Sequence, residues 1–202
     1  MMEQRSPEWF AARLGSVTAS RVSDALAGPD TAARRNYLVQ LVTERLTGIQ
    51  QESFTNAAMQ WGIETEPFAK VIYQASLKGD AFVSDAPFVK HPTIEWFGAS
   101  PDGYVEDGLL EIKCPNSTTH IDYLMAGKVP TKYHKQMLAQ LACTGREWVD
   151  FVSFDPRVPN HLQLFVVRFQ PKKEEIQKLE EGVQKFLDEV NKAMEALNAR
   201  QV

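Results

Sequence analysis

Cysteine is scarce, with two in 202 residues, Cys114 and Cys143, and no C-x-x-C pair. A four-thiolate zinc or iron–sulfur centre would need ligands from a second chain, and at most one disulfide is available. Long apolar runs are missing: nothing approaches the ~20 residues of a membrane-spanning helix. The opening MMEQRSPEWF has acids and a proline but no apolar targeting core. The expectation is a protein of the reducing cytoplasm with no membrane partner. An excess of positive charge is also missing, because 22 Lys plus Arg face 26 Asp plus Glu, a formal net charge of −4. Taken as an average, that balance speaks against a polyanionic partner. Repeats, low-complexity tracts and linkers are absent. The length and the 44% hydrophobic content suit one domain with a substantial core.

The charge is unevenly spread. Residues 1–50 and 151–202 are close to neutral, at +1 and 0, and the whole acid surplus, −5, lies in residues 51–150. Whatever that middle does, it gathers carboxylates.

The pattern predicts a helical part over 1–78, a sheet core over 80–170 and an amphipathic helix over 172–199, as one domain spanning 1–202. Ser6-Pro7-Glu8 is a helix-entry signal, and Thr18-Ala19-Ser20 opens a second short helix. Residues 31–47 carry an apolar stripe with Gly48 as its stop. A further helix over 55–77 carries Met59, Trp61, Ile63, Phe68, Val71 and Ile72, with a break expected at Pro67. Strands are expected over 81–89, 96–99, 103–105, 109–113, 149–154 and 162–169, and a helix over 131–143. Glu106-Asp107-Gly108 is a hairpin turn signal. The tail presents Ile176, Leu179, Val183, Phe186, Leu187, Val190, Met194 and Leu197 on one face, and is expected to pack within its own chain rather than on a neighbouring subunit. The four tryptophans read as core, and His91, His120 and His161 as surface or satisfied core. Cys114 reads as a small hydrophobe, not a nucleophile. Together these give an α/β domain with a mixed central β-sheet flanked by helices.

The chemistry concentrates in Gly98-Ala99-Ser100-Pro101-Asp102-Gly103, followed by the turn and Leu110-Glu111-Ile112-Lys113. If the strands on either side of the turn pair antiparallel, Asp102 and Glu111 come to one end of a hairpin. Alternation puts Glu111 and Lys113 on one face and Ile112 on the other. Two carboxylates, an ammonium and the Ile112 carbonyl then converge. Hard oxygen ligands of this kind suit Mg²⁺ or Mn²⁺, and such a cluster supports metal-assisted phosphodiester hydrolysis with Lys113 near the attacking water. The same short pattern also arises by chance in surface hairpins. Here, however, Leu109, Leu110 and Ile112 place the charges on a strand that is otherwise buried.

Pro101-Asp102…Glu111-Ile112-Lys113 resembles the PD-(D/E)xK restriction-endonuclease-like nuclease core. Arg13-Leu14-Gly15-Ser16-Val17-Thr18-Ala19-Ser20, Trp61-Gly62-Ile63-Glu64-Thr65-Glu66, Gly98–Gly103 and Tyr133-His134-Lys135-Gln136 add, in order, a resemblance to the phage lambda-type recombination exonucleases, the viral recombinase or alkaline exonuclease family. The resemblance implies that Asp102, Glu111, the Ile112 carbonyl and Glu66 hold Mg²⁺ or Mn²⁺, two ions per active site. It makes Lys113 the catalytic lysine and Gln136 a ligand of the water or scissile phosphate. Glu64 lies about 200° round an ideal helix from Glu66 and is left to solvent. Arg13, Ser20, Ser100 and Thr18 would form a pocket for a 5′-terminal phosphate, with N-capping the plain alternative for Thr18 and Ser20. Lys128, Lys132, Tyr133, Lys135, Arg34 and Arg35 are expected near the DNA backbone. The activity implied is 5′→3′ digestion of one strand of a DNA duplex from its end, releasing 5′-mononucleotides and leaving a 3′ overhang. A ring-shaped homotrimer, a single-strand annealing partner and a phage or prophage setting come with it. A restriction-like endonuclease and a DNA-end-binding scaffold with a silent site are the rivals.

Overall fold

The computed structural model describes residues 4–51 and 56–200. The outermost residues of the expected single domain, and the expected helix start at residue 55, lie outside them. Ser6 caps α1 (Pro7–Arg13), its hydroxyl accepting from the Trp9 N–H at 3.2 Å, with Pro7 in the first turn. After β1 (Val17–Thr18), a 3₁₀ turn (Ala19–Arg21) leads into α2 (Val22–Ala25). Thr31 caps α3 (Ala32–Thr47), which stops at a left-handed Gly48. There follow α4 (Ala57–Ser76), β2 (Val83–Ser84), β3 (Val89–Lys90), β4 (Phe97–Ala99), β5 (Gly103–Val105) and β6 (Gly108–Lys113). The chain ends with α5 (Ser117–Ala126), α6 (His134–Thr144), β7 (Val149–Phe154), β8 (Leu164–Phe169) and α7 (Lys173–Asn198).

The strands form two mixed sheets, not one. Five lie in the order β2-β5-β6-β7-β8 and three in the order β1-β4-β3. The β5–β6 hairpin is antiparallel, with Val105 opposite Gly108 across the Glu106-Asp107 turn. A side chain at Gly108 would overlap the Trp148 ring, so this corner needs glycine. β6 and β7 are parallel. A parallel pair requires a crossover, and α5 and α6 supply it. Along β6, Leu110 and Ile112 pack with Ala69 and Tyr73 of α4, while Leu109 packs with Met137 and Leu141 of α6. The sheet is thus sandwiched, and β6 carries alternate residues to the two helices.

α7 packs within its own chain, as expected. Leu179, Val183, Phe186, Leu187 and Val190 are buried against Val17, Tyr37, Leu41, Phe97 and Leu138. Each large side chain so buried contributes about 1.5–3 kcal/mol relative to exposure, enough to hold the helix in place.

Other expectations fail, among them the single strand over 81–89, which is divided between β2 and β3 in different sheets. α4 runs unbroken through Pro67 and buries Thr65, Ala69 and Tyr73, leaving Phe68 and Val71 68% and 66% exposed. Besides its apolar contact with β6, the buried face carries a polar one: the Tyr73 hydroxyl donates to Asp150 at 2.8 Å, and Arg168 grips the same carboxylate with two N–H groups. Asn116 caps α5, a helix the sequence pattern did not predict. Trp96 is exposed, with the Arg45 guanidinium 4.3 Å from its ring centroid.

Candidate active site

The hairpin brings Asp102 to β6 through two bonds. Its N–H donates to the Leu110 carbonyl at 3.0 Å, and its Oδ2 accepts from the Ile112 N–H at 2.6 Å. The carboxyl is held well above the usual carboxylate range, first by burial and then by Glu111 and Glu66 facing it; Lys113 and the Ile112 N–H offset part of this. Behind it, the Lys70 ammonium donates to the Asp102 carbonyl at 3.0 Å and pairs with Asp85 at 2.6 Å. Lys70 lies one turn beyond Glu66 on α4 and braces the loop that presents Asp102.

Glu111 is almost wholly buried, at 1% exposure. A buried carboxylate needs partners, and three converge on it. Gln136 Nε2 donates to Oε1 at 2.6 Å, Gln140 Nε2 donates to Oε2, and the Lys113 ammonium pairs with Oε1. Gln136 and Gln140 are i and i+4 on α6 and so share one face. That spacing was the sequence signal for Gln140, which motif matching missed. Burial works against the Lys113 charge, but Glu111 and Asp102 outweigh it and hold the ammonium above its ordinary range. The Tyr133 ring lies 5.3 Å from Lys113 Nζ and stacks on Phe151.

A second group adjoins this one. The Ser100 hydroxyl accepts from the Trp9 indole N–H at 2.9 Å and from Arg13 Nη1 at 3.3 Å. With both lone pairs engaged, its own hydrogen is left to donate. The Arg13 guanidinium lies 3.8 Å from the Trp9 ring centroid. No carboxylate faces Arg13 among the described residues, and burial pulls its pKa down to about 10. A desolvated cation without a counter-charge is chemically suited to an anion. Trp9, expected as core, is both buried and part of this site. Gly98 matters here too: a Cβ would strike the Phe88 ring, whose centroid lies 5.9 Å from Arg13.

Both groups line one cleft of about 200 Å³, formed by Gln4, Arg5, Trp9, Arg13, Ala19, Ser20, Glu66, Ser100, Asp102, Glu111, Ile112, Lys113 and Gln136. Glu66 meets Arg5 at 3.3 Å, while Glu64 is exposed and bound to Gln60. Thr18 falls one layer back: it is buried, with its hydroxyl 3.3 Å from that of Ser20 and its N–H donating to Tyr37, and it caps nothing with its side chain. Lys128, Lys132, Lys135 and Arg35 are exposed and without salt bridges among the described residues. Arg34 is a correction. It is turned inward, grips Glu189 of α7 with two N–H groups at 2.8 and 3.3 Å and donates to the Ala25 carbonyl. A cation so paired is not available to a phosphate.

The histidines and cysteines stand apart. His120 is buried between Ser153 and the Leu162 carbonyl, and His91 pairs with Glu180. Both thiols are free, and burial, reinforced by Glu66 and Asp102, pushes Cys114 up to about 12.

The donor chemistry fits a divalent cation. Three carboxylates meet in the cleft, and Asp102 is destabilised as an anion by the other two. The expected ligands Asp102, Glu111, Ile112 and Glu66 are brought to one place but not pre-assembled: among the described residues no three His, Cys, Asp or Glu side chains already form a cage. Glu111 would have to exchange an amide or Lys113 for the ion, and Glu66 would have to leave Arg5.

The chain is similar to known nucleases. It shares 47% identity with the alkaline exonuclease LHK-Exo from Laribacter hongkongensis, with a TM-score of 0.88 over 96% of each chain. LHK-Exo in complex with dAMP matches equally well, with 47% identity and a TM-score of 0.88 over 95% of this chain and 96% of that one. A phage-related exonuclease from Haemophilus somnus 129PT, 18% identical with a TM-score of 0.63, shares the fold over 89% of this chain and 96% of its own. No curated protein sequence matches. The family model for the YqaJ-like viral recombinase domain matches residues 8–147, which span the Arg13 pocket, the hairpin and the two glutamines. The chain belongs to the YqaJ-like viral recombinase family.

Proposed function

We propose that this chain is a divalent-metal-dependent exonuclease that degrades one strand of duplex DNA in the 5′→3′ direction. It would release 5′-mononucleotides and leave 3′ overhangs for recombination by strand annealing. The observation that carries this reading is the single cleft holding both a desolvated Arg13 with no carboxylate partner, beside the Ser100 hydroxyl, and the Asp102–Glu111–Lys113 cluster. Two anion-handling sites a short distance apart suit a terminal phosphate in one and the next phosphodiester in the other.

Bound divalent cations, Mg²⁺ or Mn²⁺ and two per site in this reading, would supply Lewis-acid stabilisation of the phosphate and lower the pKa of the attacking water. Asp102, Glu111, Glu66 and the Ile112 carbonyl would hold them. The chain's own groups do the rest. Arg13, Ser100 and Ser20 grip the 5′-phosphate and set the register. Lys113, kept protonated by its carboxylates, orients the water and offsets charge building on the phosphoryl oxygens. Gln136, beside Glu111, steadies the water or the phosphate. Water's oxygen joins the phosphorus of the first linkage, the P–O3′ bond breaks, and a proton passes to the leaving 3′ oxygen. The phosphate stays on the remaining strand, so each cut regenerates the 5′-phosphate end that the pocket recognises.

The four exposed cations Lys128, Lys132, Lys135 and Arg35 suit a track for the DNA backbone. The outward apolar face of α4, with Phe68 68%, Val71 66% and nearby Phe82 67% exposed, supports a homo-oligomer, and a homotrimeric ring is the form we propose. A partner that anneals the 3′ overhang completes the scheme. No helix among the described residues is long and apolar enough to cross a membrane, and the cytoplasm is the proposed location.

Lys113→Ala tests the site. The variant should bind duplex ends within a few-fold of wild type and lose hydrolysis. Digestion at the full rate would refute the assignment. Nicking of a closed circular duplex by the wild type would favour the restriction-like rival.

A further inference from the structure

Arg5 lies on the cleft wall and belongs to none of the motifs. Its backbone is in the left-handed region, at φ +68°, which costs energy for a residue with a side chain. It is pinned there from both sides. Gln4 Nε2 donates to the Pro101 carbonyl at 2.8 Å, just before Asp102, and Ser6 caps α1. The guanidinium itself is held far more loosely. One N–H group meets Glu66 Oε2 at 3.3 Å, and the Arg5 side chain is 44% exposed. A single, long, half-exposed ion pair is weak. The segment is fixed and its charged end is exchangeable.

The charge of the cleft gives this a direction. Among its described lining residues, Glu66, Asp102 and Glu111 match Arg5, Arg13 and Lys113 in number, so the cleft's own side chains sum to formal neutrality. Each carboxylate engaged by a divalent cation frees a protein cation to face phosphate. Lys113 is bound to a nearly buried Glu111, but Arg5 is bound only to Glu66.

We infer that Arg5 is a DNA-phosphate-binding residue, held by Glu66 in the metal-free protein and released to the bound strand when a divalent cation engages Glu66. This rests on the functional reading above. It adds a further contact to the substrate, beyond the Arg13 pocket, and makes DNA affinity depend on metal through a named exchange.

The test uses the full chain as wild type, Arg5→Gln and Arg5→Lys. Mn²⁺ binding without DNA is measured by calorimetry. Binding of a 5′-phosphorylated duplex with phosphorothioate terminal linkages is then measured in Mn²⁺ across a salt series. Arg5→Gln should bind Mn²⁺ as well as wild type or up to about five-fold tighter, because Glu66 is unoccupied. It should bind the duplex about 3- to 10-fold more weakly, with the slope of log K against log salt shallower by about 0.9, the loss of one phosphate contact. Arg5→Lys should restore that slope. A role confined to supporting the fold would weaken Mn²⁺ binding too, and that result overturns the inference, as does an unchanged salt slope in Arg5→Gln. Wild-type protein that takes up no Mn²⁺ overturns the metal-site reading itself, a failure distinct from these.

Discussion

Replacing Arg13 by alanine should separate recognition of an end from the chemistry at the next phosphate. The guanidinium donates to a serine hydroxyl at 3.3 Å, and it lies 3.8 Å from the Trp9 ring centroid. A terminal phosphate would therefore meet a cation with no counter-charge, able to give it a pair of N–H groups. Hydrogen bonds to charged groups are worth about 1.5–3 kcal/mol net each, and water in the emptied pocket recovers part of that. A loss of about 2–3 kcal/mol in transition-state binding, roughly 30- to 150-fold in kcat/KM, is expected on 5′-phosphorylated ends. On 5′-hydroxyl ends the loss should stay below about 3-fold, because that contact was never made. Stability should move the other way or hardly at all. Burial already penalises this cation enough to pull its pKa down to about 10, so its removal relieves a cost that offsets the loss of the 3.3 Å bond to Ser100 and of a cation–π contact of about 0.5–1 kcal/mol. The assay is steady-state digestion of paired duplexes differing only in the 5′ group, with thermal melts of both proteins. Inorganic phosphate should raise the wild-type midpoint by mass action and leave the variant's unchanged. Equal losses on both ends, or a matching collapse of stability, would refute the pocket.

Other perturbations probe the layer behind the site. Gln140→Leu removes the donor to Glu111 Oε2 and should raise the half-saturating Mg²⁺ concentration about 10-fold with little change in KM for DNA; an unchanged metal titration would exclude a positioning role. Tyr73→Phe deletes the hydroxyl that donates to buried Asp150, and denaturant unfolding should show a loss of about 1–2 kcal/mol with the cleft chemistry intact at 25 °C. At Asp155, burial would raise the carboxyl, but hydrogen bonds from Arg157, Ser117 and the Arg157 N–H outweigh it and bring it to about 2. A pKa lowered on folding contributes stability that is present above the unfolded value of about 4 and lost as pH falls toward 2. Asp155→Asn should therefore flatten the stability curve in that window, and a curve of unchanged steepness would contradict the assignment.

The hairpin was legible because its information is local. A two-residue turn, strand alternation and the spacing from Asp102 to Glu111 determine which side chains can meet. α7 was legible because its stripe is long and apolar. α4 misled because its large apolar residues face outward, while its inward positions are the small or polar Thr65, Ala69 and Tyr73. Tyr73 serves the Asp150–Arg168 network and the same helix carries Glu66 to the cleft, and hydrophobic periodicity is blind to that purpose. α5 buries only His120 and Tyr123, too few for a periodic signal, although Asn116 and Gly127 bracket it as caps. Arg34 read as a free surface charge because its partner, Glu189, lies 155 residues away. Gln140 and Lys70 were recoverable, each one turn beyond a motif residue on the same helix face. Arg5 carried no signal, since its partner is set by the tertiary fold.

The net charge of −4 likewise described an average and not the site. Three of the carboxylates of residues 51–150, Glu66, Asp102 and Glu111, line the cleft against Arg5, Arg13 and Lys113, and a divalent cation would tip that balance toward phosphate. The most direct test of the central claim is a time course in Mg²⁺ on linear duplexes labelled at either the 5′ or the 3′ end, with and without a 5′ phosphate. The structure-based account predicts immediate release of the 5′ label as a mononucleotide, fastest from phosphorylated ends, while the 3′ label stays in long DNA. Early release of the 3′ label as a mononucleotide, or internal fragments from both labels, would contradict it.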